Sequence, residues 1–148
     1  MEELFVNALL CCEGYDMWAM YSQALDRLFM EAPGDEEYLS MEEMTPKEAV
    51  LHSIAVMYRT EFNSEHFGKV LMKSLQQLYQ DTALETFAEK AYSLWKKLPE
   101  TIDKEEPFFT LCYADDCLSY GDEEQCRQLY EKAMHYYDQA AAKSLFID

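Results

Sequence analysis

Between Thr45 and Leu98 three helix starts fall within 54 residues, and each runs on into a stripe of apolar residues. Thr45-Pro46-Lys47-Glu48 reads as a capping box with proline at the first helical position. The threonine hydroxyl accepts from a free backbone N–H, and the glutamate reaches back to the Thr45 N–H. Leu51, Ile54, Ala55, Tyr58 and Phe62 follow at helical spacing and predict the buried face. Asn63 or Ser64 caps the next helix, which carries Phe67, Val70, Leu71, Leu75, Leu78 and Tyr79. Thr82-Ala83-Leu84-Glu85 reads as a second capping box, opening a helix that Pro99 stops. Connections this short set consecutive helices side by side.

That pattern predicts an all-α fold of six or seven helices, as an irregular bundle or a short helical-hairpin stack. Four glycines and four prolines are too few for the turns of a sandwich or barrel. At 148 residues a single domain spanning 1–148 is expected. A chain of this size buries roughly two-thirds of its unfolded surface and folds without a metal or disulfide.

The flanking segments fit the same class. Residues 2–12 place Leu4, Phe5, Ala8, Leu9 and Cys12 on one face. Asp16 is the expected cap of a helix bearing Tyr21, Ala24, Leu25, Leu28 and Phe29, which ends before Pro33-Gly34. A short acidic helix starts at Asp35 or Glu36. Residues 99–106 read as a linker, and Pro107 as the first residue of a helix stopping at Tyr120-Gly121. Asp122, with Gln125 three residues on, caps a final helix expected to reach about Lys143, with Phe146 and Ile147 folding back.

Charge is the most unusual property. The net charge is −17, and it is uneven. Residues 1–48 hold 12 acids and 2 bases, residues 49–98 hold 5 and 6, and residues 99–148 hold 12 and 4. Such a surface repels nucleic acid and anionic lipid and speeds encounter with basic partners. No apolar run approaches the roughly 20 residues that span a bilayer. The acidic start Met1-Glu2-Glu3 is unlike a secretory signal, and five cysteines are an odd number. A cytoplasmic protein with reduced thiols is therefore expected.

Signatures of chemistry are sparse. His52, His66 and His135 fall on different helices, none three or four residues from another His or a Cys. Cys11-Cys12 are vicinal, and Cys112 and Cys117 are five apart, so no zinc pattern arises. No phosphate loop, dinucleotide fingerprint or nucleophile elbow occurs. No cofactor, no metal and no catalytic residue are expected. Asp115 and Asp116, flanked by Tyr113 and Tyr120, are the densest polar-aromatic cluster. Their place toward a helix C-terminus opposes the dipole, and a broken local rule is a sign of a site.

Two acidic surfaces emerge as candidate partner sites: Asp35, Glu36, Glu37, Glu42 and Glu43, and Asp115, Asp116, Asp122, Glu123 and Glu124. Trp18 lies just off the main stripe of its helix and is the candidate surface anchor, with Tyr113 and Tyr120 beside the second surface. The run Tyr113 to Gln125, with Leu129-Tyr130-Glu131 after it, and the run Phe67 to Met72 resemble small acidic helical Firmicutes proteins of unassigned function. In size and charge the chain also resembles bacterial immunity proteins, acidic cytosolic inhibitors of basic toxins. The expected function is thus non-enzymatic: an immunity- or inhibitor-type protein that occludes a basic partner protein. One alternative is a small-molecule-binding or enzymatic domain using Asp115 and Asp116 with aromatic residues. Another is an adaptor that dimerises through an apolar helix face.

Overall fold

The computed structural model describes residues 1–138, apart from the Glu37 side chain. Among the described residues it has nine helices and no strand: α1 (Glu2–Cys12), α2 (Trp18–Glu31), α3 (Glu36–Met41), α4 (Pro46–Arg59), α5 (Ser64–Asp81), α6 (Leu84–Trp95), α7 (Thr110–Tyr113), α8 (Asp116–Ser119) and α9 (Glu123–Met134). The all-α class holds; the count exceeds six or seven because α3, α7 and α8 are short pieces. No helix of the described residues is long and apolar enough to cross a membrane. The chain forms two compact units, one of residues Met1–Phe67 and one starting at Gly68, so α5 contributes to both.

The first unit is built around α1. Every residue from Leu4 to Leu10 is buried, so this helix is enclosed on all sides rather than on one stripe. It packs against α2 and α4. Gly14, at φ 87°, ends the segment in the left-handed region that glycine enters without a Cβ penalty. Asp16 does not cap α2: Met17 is the N-cap, with no side-chain hydrogen bond, because the helix begins one residue later than the aspartate needs.

The Thr45 capping box forms with both hydrogen bonds. Of the apolar stripe expected to follow it, Ile54 and Phe62 are half-buried and Leu51, Ala55 and Tyr58 are exposed. Leu51 and Tyr58 are each 61% exposed, whereas Ala49, Val50, Ser53, Val56 and Met57 are buried. Both faces of α4 carry apolar residues at helical spacing, and packing against α1 accompanies burial of the Ala49–Met57 set. Asn63 caps α5, its Oδ1 accepting from the His66 N–H at 3.0 Å. Phe5, Phe62 and Phe67 close the core of this unit, with Phe5 and Phe67 stacked at 5.0 Å.

In the second unit Tyr79 of α5, Phe87 of α6 and Tyr130 of α9 form an aromatic centre, with Phe87 and Tyr130 edge-to-face at 5.0 Å. The Thr82 capping box does not form. Ala83 is the N-cap of α6, which leaves Thr82 one position outside the helix. Residues 99–106 are the expected linker, a run of turns exposed at most positions but anchored by buried Pro99 and Ile102 and by the Trp95 Nε1–H, which donates to the Asp103 carbonyl at 2.7 Å. Pro107 starts no helix; turns lead into α7 and α8, separated at Ala114-Asp115. Gly121, at φ 78°, provides the expected left-handed stop. Asp122 caps α9 by accepting from the Gln125 N–H at 3.0 Å. α9 ends at Met134 with His135 as C-cap, and residues 136–138 are again helical, so the expected reach to Lys143 falls outside the described residues. Lys143, Phe146 and Ile147 lie outside the described residues.

Candidate functional site

Tyr21 is buried in α2, and its hydroxyl donates to the Met41 carbonyl at 3.1 Å, tying α2 to the end of α3. Burial pushes the Tyr21 phenol up from its usual pKa, so it stays protonated and keeps that bond. The Trp18 indole stacks on the Tyr21 ring at 4.7 Å and 13°, and 39% of Trp18 remains exposed. The indole is therefore held by a fixed neighbour while presenting area to solvent.

Trp18 is one wall of an open groove of about 330 Å³. Tyr15, Asp16, Glu43, Met44 and Cys11 also line it. Asp16 and Glu43 are exposed, and neither makes an ion pair or hydrogen bond to a side chain among the described residues. Burial raises the Cys11 thiol pKa, with the neighbouring Cys12 and Asp16 adding to it, so this sulfur is a protonated, weakly polar part of the wall. The groove brings together Trp18 and Glu43, residues singled out from the sequence for separate reasons. Glu36 and Glu42 are exposed on α3 and the turn after it, again without an ion pair among the described residues. Asp35 is half-buried just before α3, and Glu37 is in α3.

The second acidic cluster is different in kind. Asp122 is the cap of α9. Glu123 is paired with Arg127 at 2.8 Å, and that guanidinium also reaches the Tyr79 hydroxyl. Glu124 accepts from Gln128 at 3.5 Å. Tyr120 is 83% exposed, while Tyr113 is half-buried in α7. Asp115 and Asp116 do not oppose a helix dipole, as their place in one long helix implied. The helix breaks there, Asp115 is the N-cap residue of α8 and Asp116 lies in its first turn. Asp115 is nonetheless perturbed: burial first and then the Asp116 charge raise its pKa, and its buried Oδ1 has no hydrogen bond. Cys126, also in this unit, is fully buried, and its thiol is pushed up to about 11, chiefly by burial.

Among the described residues no three His, Cys, Asp or Glu side chains are arranged to hold a metal ion. Sequence reading missed Tyr15, Asp16 as a wall and Met44. The available signal was the run Tyr15-Asp16-Met17-Trp18, where an acid and two rings precede a helix that does not use the acid as its cap. Comparison with family models, with curated proteins and with solved structures finds no match to this chain.

Proposed function

We propose that the protein is a non-catalytic binding protein that docks a basic protein partner through its first unit and acts by occlusion, in the manner of an immunity or inhibitor protein. The observation that carries this reading is the groove where the Trp18 indole is flanked by the unpaired carboxylates of Asp16 and Glu43. Residues 1–67 hold 14 acids and 3 bases, so the field around the groove attracts cations from a distance. A partially exposed tryptophan backed by a fixed ring is a common interface anchor. A lysine or arginine stem lies well against indole, with its charge toward a carboxylate. Cytoplasmic residence and the likeness to immunity proteins belong to the same proposal.

The test begins by capturing the partner from the native cell and measuring its association rate at low and high salt. Steering predicts a rate that falls steeply with ionic strength, and falls again when Glu36, Glu42 and Glu43 are reversed to lysine. Trp18→Ala is expected to raise the dissociation rate instead. A partner whose association ignores both salt and charge reversal overturns the proposal.

A further inference from the structure

The second unit holds a partly open pocket of about 230 Å³ lined by none of the acidic-cluster carboxylates, though by Tyr113. Glu106, Thr110 and Tyr113 form one wall, spaced four and three residues apart across the turn into α7. The Thr110 hydroxyl donates to Glu106 Oε2 at 2.5 Å, and the Tyr113 hydroxyl donates to Oε1 at 3.3 Å. Both oxygens of one carboxylate are thus held in place, and Thr110, the nearer donor, is itself 6% exposed. Glu106 is exposed, but its carboxylate is oriented by these two hydroxyls.

The opposite wall comes from α9 and the residues after it. It contributes Leu129, Lys132 and Tyr136. Among the described residues Lys132 makes no ion pair or hydrogen bond through its side chain, in a chain where acids outnumber bases 29 to 12. Lys132 and Glu106 line the same pocket without pairing to each other. One unused cation and one held anion lining the same pocket are complementary to a ligand bearing both charges. Tyr136, Tyr113 and Leu129 add aromatic and apolar wall between them. Drug-sized ligands occupy pockets upward of roughly 300 Å³, so the occupant here is smaller.

We propose that this pocket binds a free α-amino acid with an apolar side chain. Its ammonium faces the Glu106 carboxylate, its carboxylate faces Lys132, and its side chain lies against the tyrosine and leucine wall. Isothermal titration calorimetry of the full chain with L-leucine and L-phenylalanine tests it. Saturable binding of at least one is expected below about 10 mM, the weak end of the affinity scale. N-acetyl-leucine, which lacks the ammonium, and leucinamide, which lacks the carboxylate, should each bind about tenfold more weakly or worse, the loss expected for one charge-assisted hydrogen bond. Glu106→Gln should abolish the preference for a free amino group while keeping that for a free carboxylate. Lys132→Gln should do the reverse. Glu131→Gln, next to Lys132 but outside this pocket, should bind as wild type. Lys132 is exposed and makes no internal bond, so its variant keeps the test valid if the Glu106 variant unfolds. No saturable heat from either amino acid up to that concentration, or binding that survives both capped analogues, overturns the proposal.

Discussion

Gly68 sits inside α5, where propensity alone favours alanine by about 1 kcal/mol. Gly68→Ala is therefore a routine stabilising substitution on sequence grounds. The structure opposes that gain. A Cβ at Gly68 would overlap the Tyr137 side chain, at 2.5 Å from Cζ and 2.8 Å from Cε2, with the hydroxyl closer still. Forcing a methyl into such a contact costs about 1–3 kcal/mol of overpacking, which cancels or exceeds the propensity gain. The net expectation is a loss of up to about 2 kcal/mol in the wild-type background. With Tyr137→Ala the obstruction is gone, and Gly68→Ala should then stabilise by about 1 kcal/mol. Tyr137→Phe should not relieve the clash, because the ring carbons remain. Urea denaturation followed by circular dichroism on the variants measures the coupling, about 1–3 kcal/mol between Gly68→Ala and Tyr137→Ala. Equal effects of Gly68→Ala in all three backgrounds would refute the reasoning and leave this glycine without a packing role.

Thr45→Ala should cost about 1 kcal/mol through loss of the α4 cap, whereas Thr82→Ala should change stability by less than about 0.5 kcal/mol; paired urea melts decide this. Cys126 has a folded pKa of about 11 against 9.0 unfolded. Its contribution to stability is complete below pH 9 and is lost as pH rises toward about 11, because the unfolded chain releases a proton that the folded one retains. That difference corresponds to about 2–3 kcal/mol, read as the difference in pH dependence between wild type and Cys126→Ala. Asp115 also has a raised folded pKa, so protonation favours folding and that contribution disappears as pH rises through the folded value. Asp115→Asn should thus stabilise the protein at pH 7, with the gain shrinking as pH falls, in thermal melts across that range; a gain independent of pH would rule out the charge as its cause.

What could be read from the sequence was local chemistry. Thr45, Asn63 and Asp122 were legible because a cap needs only its own residue and the N–H three positions on. Gly121 was legible because a left-handed helix stop selects glycine. Thr82 misled because Ala83 can take the N-cap position with no side-chain bond, and a motif one residue out of register does nothing. The buried face of α4 was illegible because Leu51 and Tyr58 compete with Val50, Ser53 and Met57 at the same period, and only α1 decides between them. The split of residues 107–120 into α7 and α8 was hidden for the same kind of reason: helices of four residues cannot persist on propensity and depend on packing against α6 and α9. One wall of the amino-acid pocket was readable in principle, since Glu106, Thr110 and Tyr113 bond within seven residues. Lys132 and Tyr136 reach it through tertiary packing alone.

The uses to which the carboxylates of the two proposed acidic surfaces are put bear on the docking proposal. In the second unit Asp122 caps a helix, Glu123 balances Arg127, and Glu106 is held by two hydroxyls. In the first unit Glu48 completes a capping box and Glu3 meets Arg27 at 2.6 Å, but Asp16, Glu36, Glu42 and Glu43 have no such task. Like charges around a helix of only six residues repel one another and weaken it. Solubility would be met as well by acids spread elsewhere, away from a short helix they destabilise. Under the proposed docking, repulsion between Asp16 and Glu43 beside the exposed indole would become attraction to an arriving cation, and the water displaced from Trp18 would add to the affinity.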